Sequence, residues 1–281
     1  MKAIAFSRDR AMQCHAMLES LAMHASGAVE VSVLYKATTS RHQRAYDQLA
    51  ALHPQVTFHC EGDFETDARG LLAAAGEGRH KFVMFLVDDT IFVGPWSAHV
   101  RCLLDDLPRA FGISLRLGQN TVHCYPTRID QCPPVFDVVA EIDRDVLAWH
   151  WRGADGDFGY PLELSSSIYR TADIIEIIER KSFRNPNELE AQLAASIVPE
   201  TVAWTHPRPC LLCFPQSVAF SVPCNRVQST YANRAGSDPA LTAETLLHHW
   251  EQGYRIDVAA LAGHVPRACH EEVPLTFVRR G

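Results

Sequence analysis

The chain has 281 residues, of which 47% are hydrophobic and 21% charged, with a formal net charge of −7 and a pI of about 6.0. These values are typical of a globular protein and exclude a mostly disordered chain. Because no block of Lys and Arg stands out, a nucleic-acid partner is not expected. The sequence holds no run of about 18 apolar residues and no signal-peptide pattern, so we expect a cytoplasmic protein without a transmembrane segment.

The cysteines are odd in number, scattered, and mostly placed inside apolar stretches. This pattern favours reduced, buried thiols over a disulfide framework. Cys210 and Cys213 form a single CxxC without a second pair. For this pair a structural role is favoured over a metal or redox site.

Apolar segments with the length of β-strands alternate with helical patterns in the first part of the chain. The strands are predicted at residues 1–6, 29–35, 56–60, 82–87 and 110–115. The intervening helices are predicted from residue 11, from residue 40, from the turn at 61–63 through 71, and over 96–107. This alternation predicts an α/β fold with a mainly parallel sheet.

After Gly118 the periodicity weakens, and residues 119–162 are predicted to form long ordered loops. The aromatic, Gly- and Asp-rich stretch 149–160 fits a sugar-binding surface or a turn over a hydrophobic anchor. A strand over 162–169 and helices from 171, from 185 and over 242–252 follow, with loop-like, proline-rich chain over 205–240. The sequence contains neither GxGxxG after its first strand nor GxxxxGK[ST], which disfavours a dinucleotide fold and excludes a P-loop.

Two adjacent carboxylates, Asp88 and Asp89, follow the apolar strand 82–87 directly. Ionised carboxylates at such a place need a cation, hydrogen-bond donors or a water-filled cleft. Since ligands of open α/β sheets bind at the carboxyl ends of strands, the pair is a candidate site for a divalent metal that carries phosphates. The alternative is a strand end with solvated acids.

The chain resembles nucleotide-diphospho-sugar glycosyltransferases of the GT-A fold, through Ser7-Arg-Asp-Arg10 after the first strand and Phe85-Leu-Val-Asp-Asp89 after the fourth. More narrowly, it is similar to a group of bacterial glycosyltransferase-like proteins that also share Asn185-Pro-Asn-Glu-Leu-Glu190 and Gly253-Tyr-Arg-Ile-Asp257 with His270. The resemblance implies a Rossmann-like, mainly parallel sheet flanked by helices. Residues 1–118 would bind the nucleotide sugar, and residues 119–281 would form an acceptor-binding extension that completes the same domain.

The resemblance also assigns roles on the donor side. The nucleotide-binding candidates are Ser7, Arg8, Arg10, Asp63, Arg69 and Asp88. Asp89 would hold Mn²⁺ or Mg²⁺, and His270 would join it, with His206 as a weaker alternative. Ser7, Arg8 and Arg10 fit equally a helix cap and surface cations. Thr90 stands where the family has its second acid, and Lys36-Ala-Thr-Thr replaces an acidic pair after the second strand.

An inverting transferase needs a carboxylate that deprotonates the acceptor hydroxyl. The candidates are Asp155, Asp157, Glu188 and Glu190. Glu188 is explained by helix capping, which leaves Glu190 and Asp157 as catalytic candidates. A retaining mechanism would require neither as a base.

These observations predict a metal-assisted glycosyltransferase that moves a sugar from a nucleotide-diphosphate donor to a glycan or lipid-linked acceptor in bacterial surface polysaccharide assembly. A nucleotidyltransferase that makes sugar nucleotides is disfavoured, because no Gly-rich loop bearing Arg or Lys follows the first strand. A catalytically silent module that binds a sugar or a protein on the same scaffold remains the alternative from another class.

Overall fold

A computed structural model describes residues 1–77, 80–142, 144–197, 207–231 and 233–280. Within these ranges nine strands form one large sheet. They are β1 (Lys2–Arg8), β2 (Glu30–Lys36), β3 (Thr57–Cys60), β4 (Phe82–Val87), β5 (Ala110–Ser114), β6 (Asp137–Ile142), β7 (Arg144–His150), β8 (Ser167–Arg170) and β9 (Cys210–Cys213).

The strands lie in the order β6-β7-β9-β5-β8-β4-β1-β2-β3. β1 is parallel to β2 and β4, β2 is parallel to β3, and β9 is parallel to β5. β8 lies between β4 and β5 and is antiparallel to both. β6 and β7 form an antiparallel hairpin at the edge, and β7 is antiparallel to β9. The prediction of an α/β fold with a sheet flanked by helices is therefore confirmed. The sheet is mixed, since parallel and antiparallel pairs both occur in it, where a mainly parallel sheet was predicted.

Helices cover both faces of the sheet. They are α1 (Ala11–His24), α2 (Ser40–Leu52), α3 (Phe64–Gly76), the short α4 (Leu103–Asp106), α5 (Thr171–Ile178), α6 (Pro186–Ile197) and α7 (Ala243–Glu251). α1, α2, α4 and α7 pack on one face, and α3, α5 and α6 pack on the other. Alternate residues of β4 pack on opposite faces of the sheet. Met84 and Leu86 lie on the face covered by α1, and Val83 and Phe85 lie on the face covered by α3. This double burial explains the continuous apolar run before the acid pair.

Three predictions of local structure were wrong. Residues 96–107 do not form one helix, because Trp96–Ser97 pairs with Ala25–Ser26 as a short strand and Ala98–Cys102 forms a 3₁₀ turn before α4. The supposed loops over 119–162 contain β6 and β7, whose polar residues mask the strand pattern. The proline-rich stretch 205–240 contains β9, which lies between β7 and β5.

The cysteines are all free, and Cys210 and Cys213 lie on β9 inside the sheet. Cys213 is fully buried, and burial raises its pKa, which makes it an inert apolar side chain. In the described part of the chain, no helix is long and apolar enough to cross a membrane.

Candidate functional site

A cleft of about 840 Å³ opens at the carboxyl ends of β1, β2 and β4. Its floor includes the residues that directly follow these strands, and its other walls come from the N-terminus of α6 and from three loops. The loops lie around residues 124–127, 156–160 and 223–235. Both halves of the chain therefore contribute to one cavity, at the position where α/β sheets bind ligands.

Most of the residues singled out from the sequence line this cleft. They are Ser7, Arg8, Arg10, Asp88, Asp89, Asp157, Glu190 and His270. Asp63 and Arg69 lie outside its lining, and His206 falls outside the described residues. Residues separated by more than 250 positions in sequence thus meet at one place.

Asp88 is held tightly by protein groups. Its Oδ2 accepts hydrogen bonds from Ser7 Oγ at 2.9 Å and from the backbone N–H of Arg8 at 3.2 Å, and its Oδ1 accepts one from Arg10 Nη1 at 2.9 Å. The residue is only 4% exposed. Through hydrogen bonds to both of its oxygens, Asp88 ties the end of β4 to the end of β1.

Arg10 is a buried bridge, whereas the sequence left open that it is a surface cation. Besides Asp88, its Nε donates to Asn225 Oδ1 at 2.8 Å and its Nη2 donates to the Asn225 carbonyl. Its side chain is 11% exposed, against 48% for Arg8. Arg10 thus links the loop after residue 223 to the carboxyl ends of β1 and β4, and Arg8 has the more exposed guanidinium of the two.

Asp89 differs from Asp88 in its contacts. Its Oδ1 is buried and has no hydrogen-bond partner among the described residues, and its Oδ2 lies 3.7 Å from Arg10 Nη1. Burial, reinforced by the neighbouring charge of Asp88, raises the pKa of Asp89 to about 6, although Arg10 and Arg116 oppose the rise. The hydroxyl of Ser221 also opposes the rise, and a buried carboxylate oxygen without a partner among the described residues is a group that a cation would suit.

His270 is connected by backbone pairing to the strand that follows Asp89. Thr90 pairs with Ser221, and Ser221 in turn forms a bridge with His270. Nδ1 of His270 is buried and lacks a partner within the described chain. Burial, with a smaller contribution from Arg116, lowers the pKa of His270 to about 3, so the imidazole is neutral and free to bind a metal.

Asp89 and His270 both line the cleft, and Asp89 Oδ1 and His270 Nδ1 are buried without a hydrogen-bond partner among the described residues. A carboxylate oxygen and an imidazole nitrogen are groups that suit Mn²⁺. No group of three or more His, Cys, Asp or Glu side chains in the described ranges is arranged to hold a metal ion. A metal held here would therefore need oxygen ligands from a substrate or from water as well.

The two acids on the other side of the cleft differ in their surroundings. Glu190 Oε2 accepts a hydrogen bond from the N–H of Leu164 at 3.1 Å, and burial raises the pKa of Glu190 while Arg116 opposes the rise. Asp157 lies in the 3₁₀ turn Gly156–Gly159, where its N–H donates to Gln131 Oε1 at 2.8 Å. Both carboxylates face the cleft and can accept a proton there.

The remaining acids of this region have structural partners. Glu188 forms an ion pair with Arg184 at 2.7 Å, and Asn185 Oδ1 accepts from the N–H of Glu188 at the start of α6. Asp155 Oδ2 accepts from the N–H of Cys132 at 3.3 Å. These contacts explain both acids without a catalytic role.

Asp63 and Arg69 form contacts within α3 and at its N-terminus. Asp63 is its N-cap and accepts from the N–H of Thr66 at 2.9 Å, while Arg69 pairs with Glu65 and lies over the ring of Phe183. We expect Asp63→Ala to lower the melting temperature, because the cap is lost, and to leave nucleotide affinity unchanged. Thermal unfolding and calorimetric titration with UDP and GDP measure the two effects, and weakened binding at an unchanged melting temperature would contradict this assignment.

Among the cleft residues that sequence reasoning missed are Arg116, Tyr125 and Asn225. Arg116 could have been found, because it follows the apolar strand β5 just as Asp88 follows β4. Asn225 and Tyr125 lie in loops without a local pattern. Tyr125 donates to Glu272 Oε1 at 2.6 Å and stacks with His270 at a ring separation of 6.2 Å.

No protein-family profile matches the chain. Among solved structures, it is similar to TarS residues 1–349 from S. aureus in complex with UDP, with 13% identity, coverage of 70% of this chain and 55% of that one, and a TM-score of 0.42. It is also similar to the mannosyltransferase PcManGT from Pyrobaculum calidifontis in complex with GDP-Man and Mn²⁺, with 14% identity, coverage of 69% and 51%, and a TM-score of 0.34.

Among curated proteins, the chain is similar to the bifunctional glycosyltransferase pgtA of Dictyostelium discoideum, with 26% identity over 252 residues. The matched region covers 82% of this chain and 32% of the relative, so the chain spans about a third of that protein's length. The resemblance carried by the motifs at residues 7–10 and 85–89 is thus matched by sequence similarity to a glycosyltransferase over most of the chain.

Proposed function

We propose that this protein is a glycosyltransferase that transfers a sugar from a nucleoside-diphosphate donor to an acceptor hydroxyl. The observation that carries the proposal is the partnerless carboxylate oxygen of Asp89 at the end of β4, in the wall of a cleft large enough for a nucleotide sugar. The similarity to pgtA supports it from the side of sequence.

On the donor side, the nucleotide occupies the carboxyl ends of β1, β2 and β4. Ser7, Arg10 and Asp88 build this wall by bonding to one another. Arg8, whose side chain is 48% exposed at the cleft and lies 3.9 Å from Asp9, would offer its guanidinium to a phosphate. A guanidinium suits phosphate oxygens because it presents several N–H donors in a fixed plane.

Asp89 and His270 would hold a divalent cation, Mn²⁺ or Mg²⁺, with the imidazole favouring Mn²⁺. When bound, this ion neutralises the negative charge that develops on the departing nucleoside diphosphate. The protein would contribute a carboxylate oxygen and a neutral imidazole nitrogen, both carried by chain segments that pair through Ser221 and Thr90.

On the acceptor side, Glu190 accepts the proton of the attacking hydroxyl in an inverting reaction, with Asp157 as the alternative. Burial raises the pKa of Glu190, which makes it a stronger base than a solvated carboxylate. A glycan or lipid-linked acceptor would bind to residues from the second half of the chain. The family resemblance favours a role in bacterial surface polysaccharide assembly, with the protein in the cytoplasm.

The test of this function is Asp89→Asn. Wild-type protein should bind UDP or GDP with Mn²⁺, and a ligand at a hundred times its Kd adds about 2.7 kcal/mol of stability. The variant should lose the metal-dependent part of this gain. A thermal-shift screen of nucleoside diphosphates with and without Mn²⁺ measures both.

For Asp89→Asn we also predict how its stability relative to wild type depends on pH. A pKa of Asp89 near 6, above its unfolded value, means that the folded state binds the proton more tightly and loses stability as pH rises between these two values. Asp89→Asn should therefore be at least as stable as wild type at pH 7.5 and show no advantage below pH 4. If the variant melts far lower, and wild type responds to no metal–nucleotide pair, the binding-module alternative replaces the transferase.

A further inference from the structure

One loop of the cleft closes on itself, and we call it the arch; the structure describes it over residues 223–231 and 233–236. The N–H of Gly236 donates to the carbonyl of Pro223 at 2.6 Å, so the two ends of the arch meet. Compact surface loops with adjacent ends are frequently functional. The arch therefore has a definite shape, which a binding surface requires.

The arch is anchored near both of its ends. Asn225 accepts a hydrogen bond from Arg10 Nε at 2.8 Å. At the other end, the guanidinium of Arg234 lies 3.9 Å from the centre of the Tyr125 ring, and its Nη2 is 3.4 Å from Glu272 Oε1. Arg10 and Tyr125 line the cleft themselves, so these contacts fix the arch relative to the proposed donor site.

Tyr231 combines an exposed ring with a backbone that the arch holds in place. Its N–H donates to Gln228 Oε1 at 3.0 Å, and its carbonyl accepts from Gln228 Nε2 at 2.9 Å. Tyr231 is 44% exposed, more than any other Phe, Tyr or Trp of the described residues. A tyrosine offers a large, rigid contact area that loses little conformational entropy on binding. The ring is therefore suited to contact a ligand.

The residues around Tyr231 present uncharged polar groups to the cleft. Ser229, Thr230 and Asn233 all line it, so Tyr231 lies at its rim. Hydroxyl and amide side chains both donate and accept hydrogen bonds. They can therefore pair with the hydroxyls of a sugar, which also donate and accept.

The arginines that line this part of the cleft are engaged by protein groups. Arg226 donates to the carbonyl of Asn233 at 3.3 Å, Arg234 lies over a tyrosine ring, and Arg184 pairs with Glu188 at 2.7 Å. An anionic ligand would have to compete with these contacts, whereas a neutral one would not. A pyranose ring is neutral, with a face of C–H groups and a rim of hydroxyls, and it matches an aromatic ring flanked by hydroxyls and amides.

We propose that Tyr231 and the neighbouring hydroxyl and amide side chains of the arch form a subsite for a neutral pyranose ring of a saccharide, which stacks on the Tyr231 ring. The inference rests on the proposed function only in making this saccharide the acceptor. It assigns recognition of the acceptor to its sugar and not to a lipid phosphate. Saccharide binding itself can be measured without any transfer reaction.

Three substitutions separate stacking from other effects at the surface. Tyr231→Ala removes the ring and should weaken saccharide binding about tenfold, whereas Tyr231→Phe keeps the ring and should stay within about twofold of wild type. Leu52→Ala is the matched control, because Leu52 is 45% exposed at the end of α2 and does not line the cleft. All three positions are exposed, so the variants should fold, as circular dichroism can verify.

The experiment is a saturation-transfer difference NMR titration of the full chain with four neutral disaccharides: chitobiose, mannobiose, cellobiose and lactose. Each titration is run alone and with Mn²⁺ and UDP or GDP. At least one disaccharide should bind wild type, with the strongest saturation on the C–H protons of one ring face. Farnesyl phosphate is the comparison probe for recognition through a lipid phosphate.

Equal Kd values for wild type and Tyr231→Ala, or an equal loss in Tyr231→Ala and Tyr231→Phe, would overturn stacking on this ring. Failure of all four disaccharides to bind wild type, or tighter binding of farnesyl phosphate than of each of them, would overturn the saccharide subsite. Saccharide binding that depends on Tyr231 without binding of any nucleoside diphosphate would support the subsite and count against the transferase. The two failures are therefore distinguishable.

Discussion

Glu190→Gln is expected to reduce turnover by about 10²–10⁴-fold, because the amide keeps the shape of the side chain and removes its basicity. The amide oxygen can still accept the hydrogen bond from the N–H of Leu164, so the fold should be preserved. Since burial raises the pKa of Glu190, wild-type turnover should begin to fall at a higher pH than it would with a solvated carboxylate as base. Initial rates across pH with a panel of UDP- and GDP-sugars measure both effects.

Asp157→Asn is the matched comparison, because Asp157 lies in the same cleft and is bound by Gln131. A loss confined to Asp157→Asn would make that residue the base. Near wild-type turnover in both variants would contradict an inverting mechanism with either acid, and a retaining reaction would then be the better interpretation.

Arg10→Ala is expected to destabilise the protein by about 3–5 kcal/mol, the usual cost of breaking a buried ion pair from one side. The substitution leaves the Asp88 carboxylate without its main cationic partner and frees Asn225 at the start of the loop over the cleft. Urea unfolding monitored by circular dichroism measures the change in the free energy of unfolding.

Arg8→Ala is the control for this prediction, since it removes the same type of side chain two residues away. Its guanidinium is half-exposed and lies 3.9 Å from Asp9, so its loss should cost less than about 1 kcal/mol. For nucleotide affinity we expect the opposite ranking: Arg8→Ala should bind the nucleotide more weakly than folded Arg10→Ala does. Equal stability of the two variants would show that the Arg10 bridge is not formed in solution.

The parts of the fold that could be predicted are those with a complete local pattern. β1, β2, β4 and β5 are apolar runs bounded by polar residues, and the helices between them carry apolar residues at helical spacing. β9 escaped prediction because it has only four residues with prolines on both sides, and its place in the sheet depends on β7 and β5. Pairing partners distant in sequence decide such strands, and no local pattern records them.

The local pattern alone indicated the site only where a charged residue follows a buried strand, which identified Asp88 and Asp89 and would also have found Arg116, two residues after β5. The other predicted residues that line the cleft came from the family resemblance and from the search for an acceptor base. Ser7 and Arg10 donate hydrogen bonds to Asp88, whereas Asp89 Oδ1 has no partner among the described residues. The sequence could not show this difference, because it depends on where the Ser7 and Arg10 side chains point in the folded protein. Which hydrogen bonds an acid forms is decided only when the ends of neighbouring strands come together in the folded sheet.

The insertion of β8 between β4 and β5 has a consequence for how the protein is made. While a ribosome has released only the first 118 residues, β5 has neither of its neighbours, and β4 is paired on one side alone. Apolar strands with open edges attract other chains, so the nascent protein would be exposed to aggregation until β8 and then β9 emerge. Completion of this sheet therefore has to wait until translation has passed residue 213.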